Sequence, residues 1–212
     1  MNDTLRLRKT VPRFASLALA AALALPAWAQ RATEPSSGHS STPKREVAPA
    51  ELLAELRKGG YILYFRHAAT DFSQNDSRMT SFEDCASQRN LTDRGRDEAR
   101  ALGEHVKRLK IPIGEVLASP FCRTMETARL AFGKAAASND VRGGPVEAAR
   151  YEPLRKLLSS PVPKGTNRVI SSHGNPFVAL AGPPYLAEGE IAVVRPEGER
   201  FSVIARIPLT GW

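Results

Sequence analysis

The chain is poor in the residues that build metal centres and disulfide scaffolds. Two cysteines and four histidines occur in 212 residues, and their spacing matches no metal-ligand pattern. Zinc needs four such ligands, usually in closely spaced pairs, so neither a metal nor any other cofactor is expected. The formal net charge is +8, yet no lysine-arginine block is long enough to argue for nucleic acid. No internal repeat is present. Apolar runs are short as well. The longest, FASLALAAALAL, falls below the roughly 20 residues of a good membrane span.

What is there starts with that run. Arg6, Arg8, Lys9 and Arg13 precede it, and Ala27-Trp28-Ala29 follows as a small-x-small cleavage site. Residues 1–29 therefore read as a secretory signal peptide, against the competing reading of an uncleaved anchor. Cleavage near Ala29 would make the chain periplasmic or secreted, with no stable membrane span. It would remove four basic residues and Asp3, taking the charge from +8 to +5. Residues 30–47, which include QRATEPSSGHSSTPKRE, carry almost nothing apolar. Such a stretch cannot offset the entropy of ordering and reads as a flexible leader. The folded domain is expected over 48–212.

Within it, apolar runs alternate with helical periodicity. PAELLAELRKGG predicts a helix stopped by Gly59-Gly60, and YILYFRH a buried strand. Residues 69–90 lack periodicity. Thr92 is a good N-cap for a helix with Ala99, Leu102, Val106 and Leu109 on one face. GEVLAS, NRVISSH, GEIAVVRP and ERFSVIARI predict further strands; RTMETARLAFG, YEPLRKLL and NPFVALAG predict helices. The alternation predicts a three-layer α/β/α sandwich with a mostly parallel central sheet and helices on both faces.

Open α/β sheets bind ligands beyond the carboxyl ends of their strands. Arg66 and His67 end the first predicted strand, His173 ends NRVISSH, and Arg123 opens the helix after GEVLAS. Arginine and histidine thus arrive at one sheet edge from three strands. Guanidinium groups grip phosphate oxygens in pairs and stay charged. An imidazole among cations stays neutral and can act as a nucleophile. The same arginines would repel a metal ion.

These motifs resemble the histidine phosphatase superfamily, the phosphoglycerate-mutase-like proteins. YFRHAATDFS resembles its Arg-His-Gly signature, with Ala68 in place of the glycine. LTDRGRDEARALGEHV is similar to the following helix, VLASPFCRTMETA to the Ser-Pro-x-x-Arg-x-x-x-Thr-Ala block, and VISSHGN to the late histidine motif. The last two strands also resemble the family's, so the resemblance covers about residues 57–206. It implies that His67 attacks phosphorus and carries a transient phosphohistidine. It implies that Arg66, Arg123 and His173 bind the phosphoryl group, with Thr70 close to it. The family's proton donor has no clear counterpart; Glu152 is the first candidate, with Glu147 and Asp71 as alternatives. Some relatives lack the acid and favour leaving groups such as phosphohistidine. Cys85 and Cys122 lie 37 residues apart and form the one possible pair. Export favours a bridge, which would tie the loop after His67 to the pocket.

The expected activity is that of an exported phosphatase acting on a small-molecule or envelope-linked phosphomonoester. A phosphohistidine protein phosphatase and a non-catalytic phosphate-binding module are the alternatives. Nothing in the sequence names the substrate or the oligomeric state.

Overall fold

The computed structural model describes residues 49–211; the expected signal peptide and leader lie outside the described residues. Five α-helices and six strands alternate there. They run α1 (Pro49–Lys58), β1 (Ile62–Arg66), α2 (Asp93–Arg108), β2 (Ile113–Ala118), α3 (Cys122–Phe132), β3 (Ala136–Ala137), α4 (Glu152–Ser159), β4 (Asn167–Ser172), α5 (Gly174–Ala181), β5 (Ile191–Pro196) and β6 (Phe201–Ile207). The sheet order is β3-β2-β4-β1-β5-β6. β1 to β4 are parallel, while β5 runs antiparallel to β1 and β6 antiparallel to β5. The expected α/β/α sandwich is the one observed. The two-residue β3 was not expected; two alanines give no strand signal.

Alternation along β1 explains the layers, because successive strand residues face opposite sides. Leu63 and Phe65 pack with Leu52 and Leu56 of α1, Leu102 and Val106 of α2, and Met125 and Ala128 of α3. Ile62 and Tyr64 face the other way, toward Leu154 and Leu158 of α4 and Phe177 of α5. These four side chains are fully buried, worth roughly 1.5–3 kcal/mol each for the large apolar ones. Thr92 caps α2 as expected, its hydroxyl accepting from Gly95 N at 3.0 Å. Gly133 ends α3 with φ at 70°, a left-handed conformation that favours glycine.

β1 and β4 are central, adjacent and parallel, with Arg66 opposite Ser172. Their carboxyl ends therefore deliver His67 and His173 side by side. His67 N continues the ladder, donating to Ser172 O at 3.1 Å.

Candidate active site

A cavity of about 290 Å3 opens at this edge. Arg66, His67, Arg123 and His173 all line it, so the structure brings together four residues expected from three strand ends. The imidazoles stand edge to face with centroids 5.5 Å apart. A larger cavity, about 850 Å3, runs beside Cys85, Cys122 and Arg96 and contains neither imidazole. The chemistry-bearing groups are in the smaller one.

His67 is 1% exposed. Its Nδ1 lies 3.0 Å from Ala68 O. A carbonyl can only accept, so Nδ1 carries the proton and Nε2 keeps its lone pair. Burial pushes the His67 pKa down to about 3; the bond to Ala68 opposes this, and the charges of Arg123, Arg66 and Arg89 reinforce it. The imidazole is therefore neutral near pH 7. Glu188 Oε1 lies 3.8 Å from its Nδ1, but a neutral ring makes no ion pair there. His173 is held well below its ordinary pKa by burial, then by His67 and the arginines. Its Nε2 shares a hydrogen bond with Ser119 Oγ at 2.9 Å.

The motif around Arg123 acquires a physical meaning here. Ser119 contacts His173, and Thr127 Oγ1 accepts from Ala68 N at 3.2 Å, bracing the peptide after His67. Arg123 lies over the Phe121 ring at 4.5 Å, and its Nη1 donates to Asp76 Oδ1 at 3.0 Å and to Arg89 O at 3.2 Å. Arg66 Nη1 donates to Leu186 O at 2.6 Å. Three guanidinium groups of the lining, those of Arg66, Arg89 and Arg123, keep a buried Nε–H with no partner among the described residues. Unsatisfied buried donors are costly, about 1–3 kcal/mol each and more when charged. Three around one cavity make a site built to be completed by an anion's oxygens.

Not every expected residue reaches the cavity. Glu152 begins α4 with both carboxylate oxygens on Arg155 at 2.7 Å. α4 buries Leu154 and Leu158, which leaves this pair on the outer side. Asp71 accepts from Ser73 and Gln74, and Glu147 is exposed in the loop before α4. None of the three lines the cavity. Thr70 is buried and does not line the cavity, donating from Oγ1 to Glu188 at 2.7 Å. Cys85 and Cys122 are joined by a disulfide, Cα atoms 5.7 Å apart.

The sequence also hid residues that the structure adds. Arg89 and Asp76 come from the aperiodic loop after β1, Gly143 and Gly144 from the loop after β3, and Tyr185 from the loop after α5. The cysteine pair was the one hint: the loop tied to α3 by that bridge carries Arg89. A Cβ on Gly143 would meet the His173 ring at 2.6 Å, so only glycine lets this loop close over the imidazole.

Comparisons with known proteins agree with this geometry. The family model of the histidine phosphatase superfamily (branch 1) matches residues 62–143. Over that segment the chain is similar to the superfamily that its motifs resembled, and it shares the fold of the following solved structures. Mycobacterial hydrolase 1 is 15% identical, with 69% of this chain and 97% of that one covered and a TM-score of 0.53. Mycobacterial glucosyl-3-phosphoglycerate phosphatase is 15% identical over 68% and 96%, TM-score 0.51. A protein assigned as phosphohistidine phosphatase SixA from Agrobacterium tumefaciens is 15% identical over 70% and 97%, TM-score 0.50. At such identities the likeness shows the fold. No curated protein sequence matches the chain. The matched segment ends before His173, whose place rests on the β1–β4 geometry.

The buried imidazoles have a consequence for stability. Unfolded histidine takes up a proton near pH 6.5, whereas folded His67 resists until about pH 3. Between those values the unfolded state binds more protons, so stability is full above 6.5 and falls as pH falls. The melting temperature should drop between pH 7 and 5, before most carboxylates titrate, and drop less in His67→Asn. A flat profile over that window would contradict the buried neutral assignment.

Proposed function

We propose that this chain is a phosphatase, exported after cleavage near Ala29, that hydrolyses a phosphomonoester through a phosphohistidine on His67. The observation that carries the reading is the cavity itself: two neutral imidazoles among three arginines whose buried Nε–H groups lack partners. His67 Nε2 attacks phosphorus, and phosphate leaves the imidazole when water attacks in turn. Arg66, Arg89 and Arg123 hold the equatorial oxygens and neutralise charge that develops in transfer. His173, fixed by Ser119, lies opposite as a further contact. Asp76 orients Arg123. Turnover of a generic aryl phosphate tests this reading. Folded protein that binds inorganic phosphate and releases none from the ester would be a non-catalytic binding module instead.

A second reading, a phosphohistidine phosphatase, draws on one observation. Among the described residues that line the cavity, Asp76 is the single carboxyl group. Burial alone would raise its pKa, but hydrogen bonds from Arg123 and the Arg89 backbone outweigh that and hold it below the ordinary range. A leaving group that needs no proton suits such a site.

Arg123→Lys should cost about 2–4 kcal/mol of transition-state stabilisation, because an ammonium cannot make the planar two-point contact. Catalytic efficiency would fall by roughly 30-fold or more. A fall below about threefold would place Arg123 outside the reaction.

A further inference from the structure

The cavity is charged, and exposed apolar side chains lie close to it. Among the described residues, the exposed large apolar side chains are Phe72 (71%), Val146 (54%) and Tyr185 (48%). Tyr185 lines this cavity, and the other two neighbour residues that do. Arg89, which lines it, lies over the Phe72 ring at 4.8 Å. Tyr185 is part of the lining, and Val146 follows two residues after the lining Gly144. Single exposed apolar residues are ordinary; an aromatic ring in the lining and a second stacked on a lining arginine, from separate loops, are a binding feature. The lining is braced as well. Tyr185 donates its hydroxyl proton to Asn175 Oδ1 at 2.8 Å, and Asn175 Nδ2 donates to Gly144 O at 2.7 Å.

A second observation concerns the proton that a departing alkoxide would need. Asp76 accepts from Arg123 at 3.0 Å and from Arg89 N at 2.9 Å on the same oxygen, so it is committed as a carboxylate. The Tyr185 proton is committed to Asn175. Among the described residues, no acid of the lining is free to protonate the leaving oxygen.

Resting on the phosphatase reading above, we infer that the phosphate's carrier is an aromatic ring, and that the substrate class is an aryl phosphomonoester. The ring lies against Phe72 and Tyr185 with its phosphate among the arginines, a geometry aromatic side chains favour. A phenol ionises near pH 10, far more readily than the alcohol of a sugar or glycerol phosphate. The His67 Nε2 lone pair forms the N–P bond while the P–O(aryl) bond breaks. Its electron pair leaves on the phenolate, which takes a proton from solvent. Water then attacks phosphorus, the P–N pair returns to Nε2, and the water's proton passes to solvent with the released phosphate.

The test is kcat/KM on phenyl phosphate, a phosphotyrosine peptide, glycerol phosphate, a sugar phosphate and a phosphohistidine peptide, for the wild type and Phe72→Ala. Inhibition by inorganic phosphate is measured in parallel. The aryl esters should exceed the alkyl esters by about 100-fold. Phe72→Ala should lower aryl turnover about tenfold and move the inhibition constant of bare phosphate by less than about twofold. Preference for the peptide would place the ring on a tyrosine, and preference for phenyl phosphate on a small molecule. Alkyl esters turned over equally well, faster turnover of phosphohistidine, or a parallel loss of phosphate binding in Phe72→Ala would each overturn the inference. No turnover of any substrate would defeat the phosphatase reading itself, and this inference with it.

Discussion

Substitution of His67 by alanine is expected to lower kcat by about four orders of magnitude or more, with the protein still folded. The size follows from the site. Nε2 of His67 carries a lone pair because Nδ1 is bonded to the Ala68 carbonyl, and the ring stays neutral because it is buried among cations. His173 lines the same cavity, but Ser119 holds its Nε2. Arg66, Arg89 and Arg123 are acceptor-free donors and cannot attack phosphorus. Phosphate should therefore still bind to His67→Ala. Deleting a buried ring leaves a cavity, so a modest fall in melting temperature is expected alongside a cooperative transition. Inhibition constants for inorganic phosphate and the melting curve separate loss of the nucleophile from loss of the fold. Turnover within about tenfold of wild type would remove His67 from the nucleophile's role.

Reduction of Cys85–Cys122 should have the largest effect on stability. The bridge closes a separation of 37 residues, and the lost loop freedom corresponds to about 3–4 kcal/mol. For a domain of this size that is a fall of roughly 6–16 °C in melting temperature. Catalysis should suffer too, because the bridged loop carries Arg89. Gln88, 1% exposed, accepts from Cys122 N at 2.9 Å and donates to Phe82 O at 3.0 Å. Asn90 Nδ2 donates to Cys85 O at 2.7 Å. Arg89 sits between these two anchors. Without the bridge, KM should rise because Arg89 is no longer held in register. Cys85→Ser should reproduce both effects without reductant, since Cys85 is exposed and serine costs little there. Two titratable thiols in denatured, unreduced protein would rule the bridge out. A lower melting temperature with unchanged kinetics would keep the bridge and remove its link to Arg89.

The sheet and the strand-end residues were legible because their signal is local. Leu63 and Phe65 face one layer, Ile62 and Tyr64 the other, and such alternation is written in adjacent residues. The strand ends then fix Arg66, His67 and His173 by topology alone. Long-range bonds carry no such mark. Arg123 meets Asp76 across 47 positions, and Thr70 meets Glu188 across 118. Thr70 was therefore expected at the phosphate but spends its hydroxyl on a carboxylate from the far end of the chain. Glu152 failed for the opposite reason. Its neighbour three residues on, Arg155, takes its carboxylate within one helical turn, and the buried face of α4 points elsewhere. Arg89 was hidden because its position depends on Gln88 and the disulfide, not on any period in its own loop.

A covalent phosphoryl group on His67 can be trapped during turnover. Enzyme mixed with 32P-labelled aryl phosphate is quenched within milliseconds into alkaline denaturant and mapped by peptide. Label should approach one phosphoryl group per chain, confined to the peptide holding His67, stable in alkali and lost in mild acid. Label on another peptide, or full turnover with no protein-bound phosphate at any quench time, would contradict a phosphohistidine on His67.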